Sequence, residues 1–362
     1  MRKKNLLSLL NPFDELVSRR VSTINPTLPP TRKEPEKSII TVYEYNPEGV
    51  RIEQPETVDD CFKYLSTNSI SWINVDGLRK ADVEKICNHF GVHPLIAEDI
   101  YSSGQRPKMD ELNHLLYSLV NMLFYDESMR TVESEQFSLV LGRNFVLSFQ
   151  EDANRDLFDP MREKLKIAGS KLRISGADYL YYTLIDVIVD KYFVIMERLG
   201  EKVEGLEDAI THNPDTRTLA RINYLRKEMM FLKRSISPVR EIVNGILRSE
   251  NELIEERTEK YFKDVYDHIV QANELAENYR DMMINLQDLY LSNVNLKMNE
   301  VMKVMAVVTC LLAPATVIGG IFGMNFTTIP WADNPVGFYF AVGTMLLVPL
   351  IMIWIFRRRG WF

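Results

Sequence analysis

The sequence predicts an α+β domain that is joined through one long helix to a C-terminal pair of transmembrane helices. Three observations support this fold class: short β-rich runs occupy the first half, one stretch of 68 residues lacks both glycine and proline, and two long uncharged runs lie near the C-terminus. The average composition hides this division, because 46% apolar residues and a net charge of −7 describe an ordinary acidic protein. All but four of the 93 charged residues lie in residues 1–303.

The first part of the chain divides into a tail and a mixed domain. Residues 1–37 are expected to form a flexible tail, because five prolines interrupt a polar sequence. Residues 38–177 are expected to form the α+β domain, with helices near Lys80–Phe90 and Pro94–Ile100. The predicted strands are Ile39–Tyr45, Ile70–Val75, Leu115–Phe124, Gln136–Leu141 and Phe145–Phe149, the last two joined in a hairpin.

Long helices are expected to follow this domain. Residues 178–247 predict a pair of charged helices that is broken at Asn213–Pro214. Between Ile246 and Ala313 there is neither glycine nor proline, and most residues are good helix formers. We therefore expect one continuous helix, about 100 Å long at 1.5 Å per residue, with residues 248–303 forming a stalk before the first membrane span.

Two uncharged runs predict a membrane hairpin. Val304–Phe322 contains 19 uncharged residues, which cover about 29 Å as a helix and match the hydrocarbon thickness of a bilayer. We assign residues 304–325 to the first span, 326–335 to the connecting loop and 336–356 to the second span.

The distribution of basic residues predicts the orientation of this hairpin. Lys303 precedes the first span, and Arg357, Arg358 and Arg359 form a basic collar after the second, within the C-terminal residues 357–362. The loop between the spans contains no lysine or arginine. By the positive-inside rule, both termini are cytoplasmic and the chain is a multi-pass protein of the inner or plasma membrane.

One face of the long helix carries polar groups into the first span. These groups could line a wet path or set the register of a coiled-coil seam, and spacing alone leaves both open. A single hairpin cannot enclose a path, so a pore requires several copies around an axis. The positions, in steps of three or four, are Asp288, Leu291, Asn295, Asn299, Met302, Met305, Thr309, Ala313, Thr316 and Gly320.

Several function classes are excluded at this point. The negative net charge and the lack of a basic stripe argue against nucleic acid as a partner. Glycine-rich nucleotide motifs, the G-x-S-x-G motif and the H-E-x-x-H motif are all missing, so the chain is not expected to be an enzyme. The five histidines show no tight metal-ligand spacing.

The tripeptide Gly323–Met324–Asn325 follows the first span, and in this setting the chain resembles the CorA family of divalent-cation channels. The resemblance implies a homopentamer in which a funnel-shaped cytoplasmic domain continues through the stalk helix into the pore-lining span, with the second span as an outer ring. It extends over nearly everything after the tail. Further matching segments are NEVMKVM at Asn299–Met305, RRRGWF at Arg357–Phe362, DVYDH at Asp264–His268 and EDI at Glu98–Ile100.

The resemblance also implies roles for individual residues. Gly323, Met324 and Asn325 would form a selectivity filter, in which a ring of amides binds the hydrated ion weakly enough for conduction. A regulatory ion would be shared between subunits by Asp99, with Glu98 beside it, and Asp264. The pore would be lined by Asp288, Asn299, Met302, Met305, Thr309 and Thr316, with Met302 and Met305 as an apolar constriction.

The implied function is influx of Mg²⁺, and also of Co²⁺ or Ni²⁺, with closure when cytoplasmic Mg²⁺ binds. One departure concerns the ion: many magnesium-transporting members carry Met-Pro-Glu-Leu in the external loop, whereas residues 327–333 read TTIPWAD. A ZntB-like zinc transporter on the same scaffold is therefore an alternative. A membrane-anchored sensor or scaffold is another, since its hairpin would need no polar face.

Overall fold

The computed structural model describes residues 34–112, 114–212, 215–249, 251–325, 329–330 and 334–360. Most of the predicted tail, the break at Asn213–Pro214 and most of the external loop lie outside these residues. The chain forms two compact units. The first contains the described residues of Met1–Ala209 and Asp215–Leu286, and the second those of Ile210–Pro214 and Gln287–Phe362.

A mixed seven-stranded sheet forms the centre of the first unit, with the strand order β2-β1-β3-β7-β6-β5-β4. Strands β3 and β7 run parallel, and every other neighbouring pair is antiparallel. The strands are β1 (Ile39–Tyr45), β2 (Val50–Glu53), β3 (Ile70–Asp76), β4 (Lys108–Leu112), β5 (Leu115–Asp126), β6 (Thr131–Leu141) and β7 (Phe145–Gln150).

Helices account for most of the remaining chain, with a short 3-10 helix at Val58–Ser66. The helices of the first unit that precede the long ones are α1 (Lys80–His89), α2 (Pro94–Tyr101), α3 (Asp159–Lys166) and α4 (Lys171–Ile174). The long helices are α5 (Ala177–His212), α6 (Thr216–Arg248), α7 (Glu256–Phe322) and α8 (Pro335–Arg358).

All five predicted strands and both predicted short helices are present in the sheet domain. The sequence prediction missed β2 and β4, which form the two edges of the sheet. Both edge strands carry charges, with sequences VRIE and KMDEL, and lack the apolar run that marks a central strand. Charged edge strands discourage pairing with other chains, so the weak β signal has a physical reason.

The hairpin between β6 and β7 depends on a glycine. The Gly142 N–H donates to the Phe145 carbonyl oxygen at 2.9 Å, which closes the turn. A Cβ atom at position 142 would lie 2.3 Å from the Phe145 ring, which is closer than any side chain could tolerate. Glycine therefore allows the ring of Phe145 to fold back over the turn.

Helices cover the sheet and bury its apolar side chains. Helices α1 and α2 contribute Val83, Ile86 and Ile96 to a buried cluster that includes Ile73 and Leu147 of the central parallel strands. Helix α5 is tied to strand β5, where the Tyr181 hydroxyl donates to Ser118 Oγ at 2.5 Å and the Tyr192 hydroxyl donates to the Asn121 carbonyl at 2.6 Å. These contacts fix α5 against the sheet.

The long helix differs from its prediction at one end. The expected continuity from Ile246 is wrong at its start, because α6 ends at Arg248 and α7 begins only at Glu256. In the interval, Asn251 Oδ1 accepts the Leu253 N–H at 2.8 Å, and the Glu255 N–H donates to Asp178 Oδ2 at 3.1 Å. Side-chain acceptors thus replace helical carbonyls without glycine or proline.

Both predicted membrane spans are helical. Helix α7 continues through Pro314 as far as Phe322, and α8 contains the whole second run. Only 6% of each most apolar window is buried within the chain. A core helix of a soluble protein would be largely buried, so this exposure favours contact with a membrane or with other copies.

We expect Glu135 to make stability fall as the pH rises. Burial raises the pKa of Glu135 from 4.5 to about 7, while its Oε1 accepts the N–H groups of Glu151 and Asp152 at 2.7 and 2.8 Å. Between these two values the unfolded chain releases a proton that the folded chain keeps, so stability is lost as the pH rises through this window. Glu135→Gln keeps an acceptor oxygen and removes this titration.

Thermal unfolding of the detergent-solubilised chain between about pH 5 and pH 7 tests this. The melting temperature of the unmodified protein should decrease relative to that of Glu135→Gln. Glu133→Gln, on the same strand but paired with Arg155, is the matched control. Parallel curves for Glu135→Gln and the unmodified protein would contradict the prediction.

Candidate functional site

Helix α7 carries the expected polar positions on one face. All ten positions from Asp288 to Gly320 lie within its bounds. At about 100° per residue, they fall within an arc of about 120° around the helix axis. Pro314 lies outside this arc and leaves the Cys310 carbonyl without its usual helical donor.

Two threonines on this face use their hydroxyl protons within the helix. The Thr309 hydroxyl donates to the Met305 carbonyl at 2.9 Å, and the Thr316 hydroxyl donates to the Leu312 carbonyl at 3.0 Å. The remaining lone pairs of each oxygen are free to accept. Such an oxygen can bind a cation or its hydrating water, but it offers no proton to an anion.

The part of this face from Asp288 to Met305 is also open to solvent in the single chain. The side chains of Asp288 and Asn299 are exposed and have no hydrogen-bond partner within the described residues. Met302 and Met305 are 55% and 65% exposed, which leaves two flexible apolar side chains between the polar groups. From Asp288 to Thr316 the face extends for about 42 Å along the helix.

The Gly-Met-Asn tripeptide follows directly after the last residue of α7. The Gly323 N–H still donates to the Gly319 carbonyl, at 2.9 Å, and the Met324 N–H donates to the Ile321 carbonyl at 3.3 Å. A Cβ atom at Gly323 would approach the Gly319 oxygen to 3.1 Å, so glycine permits this close turn. Asn325 comes next and is exposed, which leaves its amide available at the end of the helix.

The predicted basic collar lies at the end of α8. Arg357 and Arg358 occupy its last turn and Arg359 follows it. The Arg358 guanidinium lies 4.6 Å from the centre of the Trp354 ring. Tryptophan and arginine together are typical of a membrane–water interface. Lys303 lies on α7 and is half-buried within the chain.

The expected regulatory residues lie on two helices of the first unit. Asp99 on α2 is 17% exposed and its Oδ2 lies 2.5 Å from Lys108 Nζ, while Glu98 beside it is exposed. Asp264 is exposed on α7. Within the described residues, no hydrogen bond or ion pair joins Asp99 to Asp264. Their expected pairing concerns neighbouring subunits and stays a prediction.

A second cluster close to Asp264 was not predicted from the sequence. Asp186 and Asp190 on α5 and His268 on α7 place one ligand atom each within 4.8 Å of one another. Burial raises the pKa of Asp186, and the Asp190 carboxylate and Asp264 raise it further. The Nδ1 atom of His268 is buried and has no hydrogen-bond partner among the described residues. Two carboxylates and an imidazole at this spacing can hold a divalent transition metal.

One sequence signal could have suggested this cluster. Asp186 and Asp190 are four residues apart and so share a face of α5. The histidine is 78 positions further along the chain, and only the packing of α7 against α5 brings it near. Histidine spacing alone therefore gave no indication of a site.

Comparison with known proteins agrees with this arrangement. The family profile described as "CorA-like Mg2+ transporter protein" matches residues 67–358. The chain is 36% identical over 336 residues to the "Cobalt/magnesium transport protein CorA" of Thermotoga maritima, which covers 92% of this chain and 95% of that protein.

Solved structures with the same fold are also known. The complete structure of the CorA magnesium transporter from Methanocaldococcus jannaschii matches with a TM-score of 0.73 at 23% identity, covering 90% of this chain and 99% of that one. The ZntB cytoplasmic domain from Vibrio parahaemolyticus matches with a TM-score of 0.56 at 14% identity, over 71% of this chain and 98% of that one. At these identities the two structures support the fold alone. The family profile and the Thermotoga maritima relative carry the assignment, and the chain belongs to the CorA family of Mg²⁺ transporters.

Proposed function

We propose that the protein is a channel that carries Mg²⁺ into the cell, and also Co²⁺ or Ni²⁺. The observation that supports this most strongly is the single face of α7, which presents oxygen acceptors through the apolar span, with the exposed Asn325 just beyond the end of the helix. Within the span, the hydroxyl oxygens of Thr309 and Thr316, whose protons are already donated to the helix, suit a hydrated cation. The relatives named for cobalt and magnesium transport support the same class of ion.

A path along this face requires several copies of α7 around an axis. We propose the homopentamer that the family resemblance implies, with α7 lining the path and α8 forming the outer ring. The exposure of the apolar side chains on both helices is consistent with burial against other copies and lipid. In such a ring each polar position of α7 would be present five times.

The chemistry of Mg²⁺ explains why weak ligands are suitable. Mg²⁺ releases its waters reluctantly, so a pore that strips them would be slow. A ring of Asn325 amides can bind the hydrated ion from outside, with Gly323 and Met324 contributing the turn that presents them. Inside the pore, Thr316, Thr309, Asn299 and Asp288 would provide further acceptors.

Met302 and Met305 are the residues at which the proposed pore can close. Rings of exposed methionines would form an apolar constriction, from which water withdraws when the ring narrows. A small change in helix position could then stop conduction. We place both termini and the basic collar on the cytoplasmic side of an inner or plasma membrane, following the distribution of lysine and arginine.

We propose that cytoplasmic Mg²⁺ regulates the channel by binding between subunits. Asp99, with Glu98, on one subunit and Asp264 on its neighbour would share the ion. Carboxylates held close together repel one another unless a cation intervenes, so occupancy would hold the closed, symmetric state. The Asp186, Asp190 and His268 cluster supplies additional ligands close to Asp264.

Zinc transport is a second candidate, favoured by the histidine in that cluster and by the lack of glutamate in the external loop. Imidazole suits Zn²⁺ and Co²⁺ better than Mg²⁺. The two functions are distinguished by which ion crosses the membrane.

The first prediction of this function concerns Asn325. Mg²⁺ and Co²⁺ should enter liposomes that contain the purified chain. Asn325→Ala should slow this entry by roughly tenfold, because the amide that binds the hydrated ion is lost. Asn285→Ala is the matched control, because Asn285 is an exposed asparagine of α7 outside the polar face. Fluxes of Mg²⁺, Co²⁺ and Zn²⁺ are measured in parallel with ion-sensitive dyes. Zinc entry without Mg²⁺ entry would contradict the proposal, and an unchanged flux in Asn325→Ala would refute the role assigned to Asn325. No entry of any ion would favour an anchored scaffold.

The second prediction concerns regulation. Raising Mg²⁺ on the cytoplasmic side should close the unmodified channel, whereas Asp99→Asn and Asp264→Asn should stay open at the same concentration because the shared ion has lost a ligand. Asp267→Asn, an exposed carboxylate on the same helix, should close normally. Normal closure in both variants would refute the proposed pairing.

The third prediction concerns the cluster near Asp264. Co²⁺ bound by two carboxylates and an imidazole should produce a visible absorption band, and the chain should lose one bound ion when His268→Gln or Asp190→Asn is introduced. Asp267→Asn again serves as the control, since that carboxylate is not part of the cluster. An unchanged number of bound ions and an unchanged spectrum would show that the cluster holds no metal.

A further inference from the structure

A cavity lies in the first unit, where α4, α5 and α7 meet. It has a volume of about 360 Å³, within the range of small-molecule sites. The cavity is formed by the end of α4, the first turn of α5 and the first two turns of α7. Its lining consists of Lys171, Ile174, Ser175, Tyr179, Arg257, Thr258, Lys260 and Tyr261.

The charge of this lining is positive. Lys171, Arg257 and Lys260 contribute three cations, and no carboxylate belongs to the lining. Arg257 Nε lies 2.5 Å from Glu255 Oε2, but both side chains are more than half exposed. Neither Lys171 nor Lys260 has an ion pair within the described residues. In an otherwise acidic chain, three cations of which two have no ion pair favour an anionic ligand.

Two tyrosines position the Lys171 ammonium group. Lys171 Nζ lies 4.0 Å from the centre of the Tyr261 ring and 5.4 Å from that of Tyr179. The two rings meet edge to face, with centres 5.4 Å apart. Cation–π contacts hold the ammonium beside the cavity, and the carbon atoms of the two rings form an apolar part of its wall.

Buried hydroxyl groups complete the lining. Ser175 is 8% exposed and Thr258 is 1% exposed, and both belong to the cavity wall. Hydroxyls can donate to phosphate oxygens, and an arginine fork with two ammonium groups suits the charge and shape of a phosphate. The cavity also repels divalent cations, so it is unsuited to the ions of the pore.

We propose that this cavity binds an organic phosphate that carries a planar ring, as a nucleotide does. Lys171, Arg257 and Lys260 contact the phosphate groups, Ser175 and Thr258 donate to their oxygens, and the tyrosine rings pack against the planar ring. The inference concerns ligand binding alone and stands independently of the ion that the channel carries.

Binding of radiolabelled ATP to the purified full-length chain, at a fixed concentration of free Mg²⁺, tests the proposal. We expect saturable binding that weakens at least tenfold, as a rough figure, when Lys171→Gln and Lys260→Gln are combined, because two charge-assisted contacts are lost. Lys171→Arg should retain binding, since the charge is kept. Lys263→Gln is the matched control, as Lys263 lies on the same helix outside the cavity and pairs with Glu259.

Competition identifies the part of the ligand that is recognised. Tripolyphosphate should displace ATP at higher concentration than ATP itself, and adenosine should displace it poorly. The melting temperature and elution volume of each variant, compared with those of the unmodified chain, check that the variants are folded. The proposal would be overturned if ATP showed no saturable binding up to about 10 mM. It would also be overturned if Lys263→Gln weakened ATP binding as much as the double variant does, or if adenosine displaced ATP as effectively as unlabelled ATP.

Discussion

The constraint on which the second unit depends is that a helix in a bilayer must satisfy its own backbone polar groups. Helix α7 meets this requirement as one uninterrupted element to Phe322, except at the Cys310 carbonyl, whose usual donor is removed by Pro314. Because the rest of the backbone is satisfied internally, polar groups for an ion come mainly from side chains. The helical repeat then decides which side chains share a direction, and here it selects amides, hydroxyls and methionines.

In the proposed pore, the same constraint would also favour cations over anions at the two threonines. A hydroxyl in hydrocarbon needs an acceptor, and the carbonyl one turn earlier provides it for both Thr309 and Thr316. The same contact turns the oxygen lone pairs outward. With its proton used in this way, each hydroxyl can accept but not donate, so in the proposed pore the two threonines would attract cations without any charged residue in the span.

Features with a local cause were predictable from the sequence, and those with a distant cause were not. Strand β1 was predicted with its observed bounds because turn residues flank a run of β-branched and aromatic side chains. The break before Glu256 was missed because it depends on Asp178, which lies 77 positions away and accepts the Glu255 N–H. The polar face of α7 followed from periodicity, whereas His268 joined two aspartates only through the packing of α5 and α7.

The ion pair between Asp99 and Lys108 has a consequence for the threshold of the proposed regulation. A regulatory cation that binds Asp99 has to displace an ammonium group 2.5 Å away, so binding is an exchange of one cation for another. Exchange lowers the apparent affinity compared with a bare carboxylate. In the proposed regulation, the lysine would therefore compete with the ion for Asp99, which would shift the response towards higher ion concentrations and keep the channel open until the cell is well supplied.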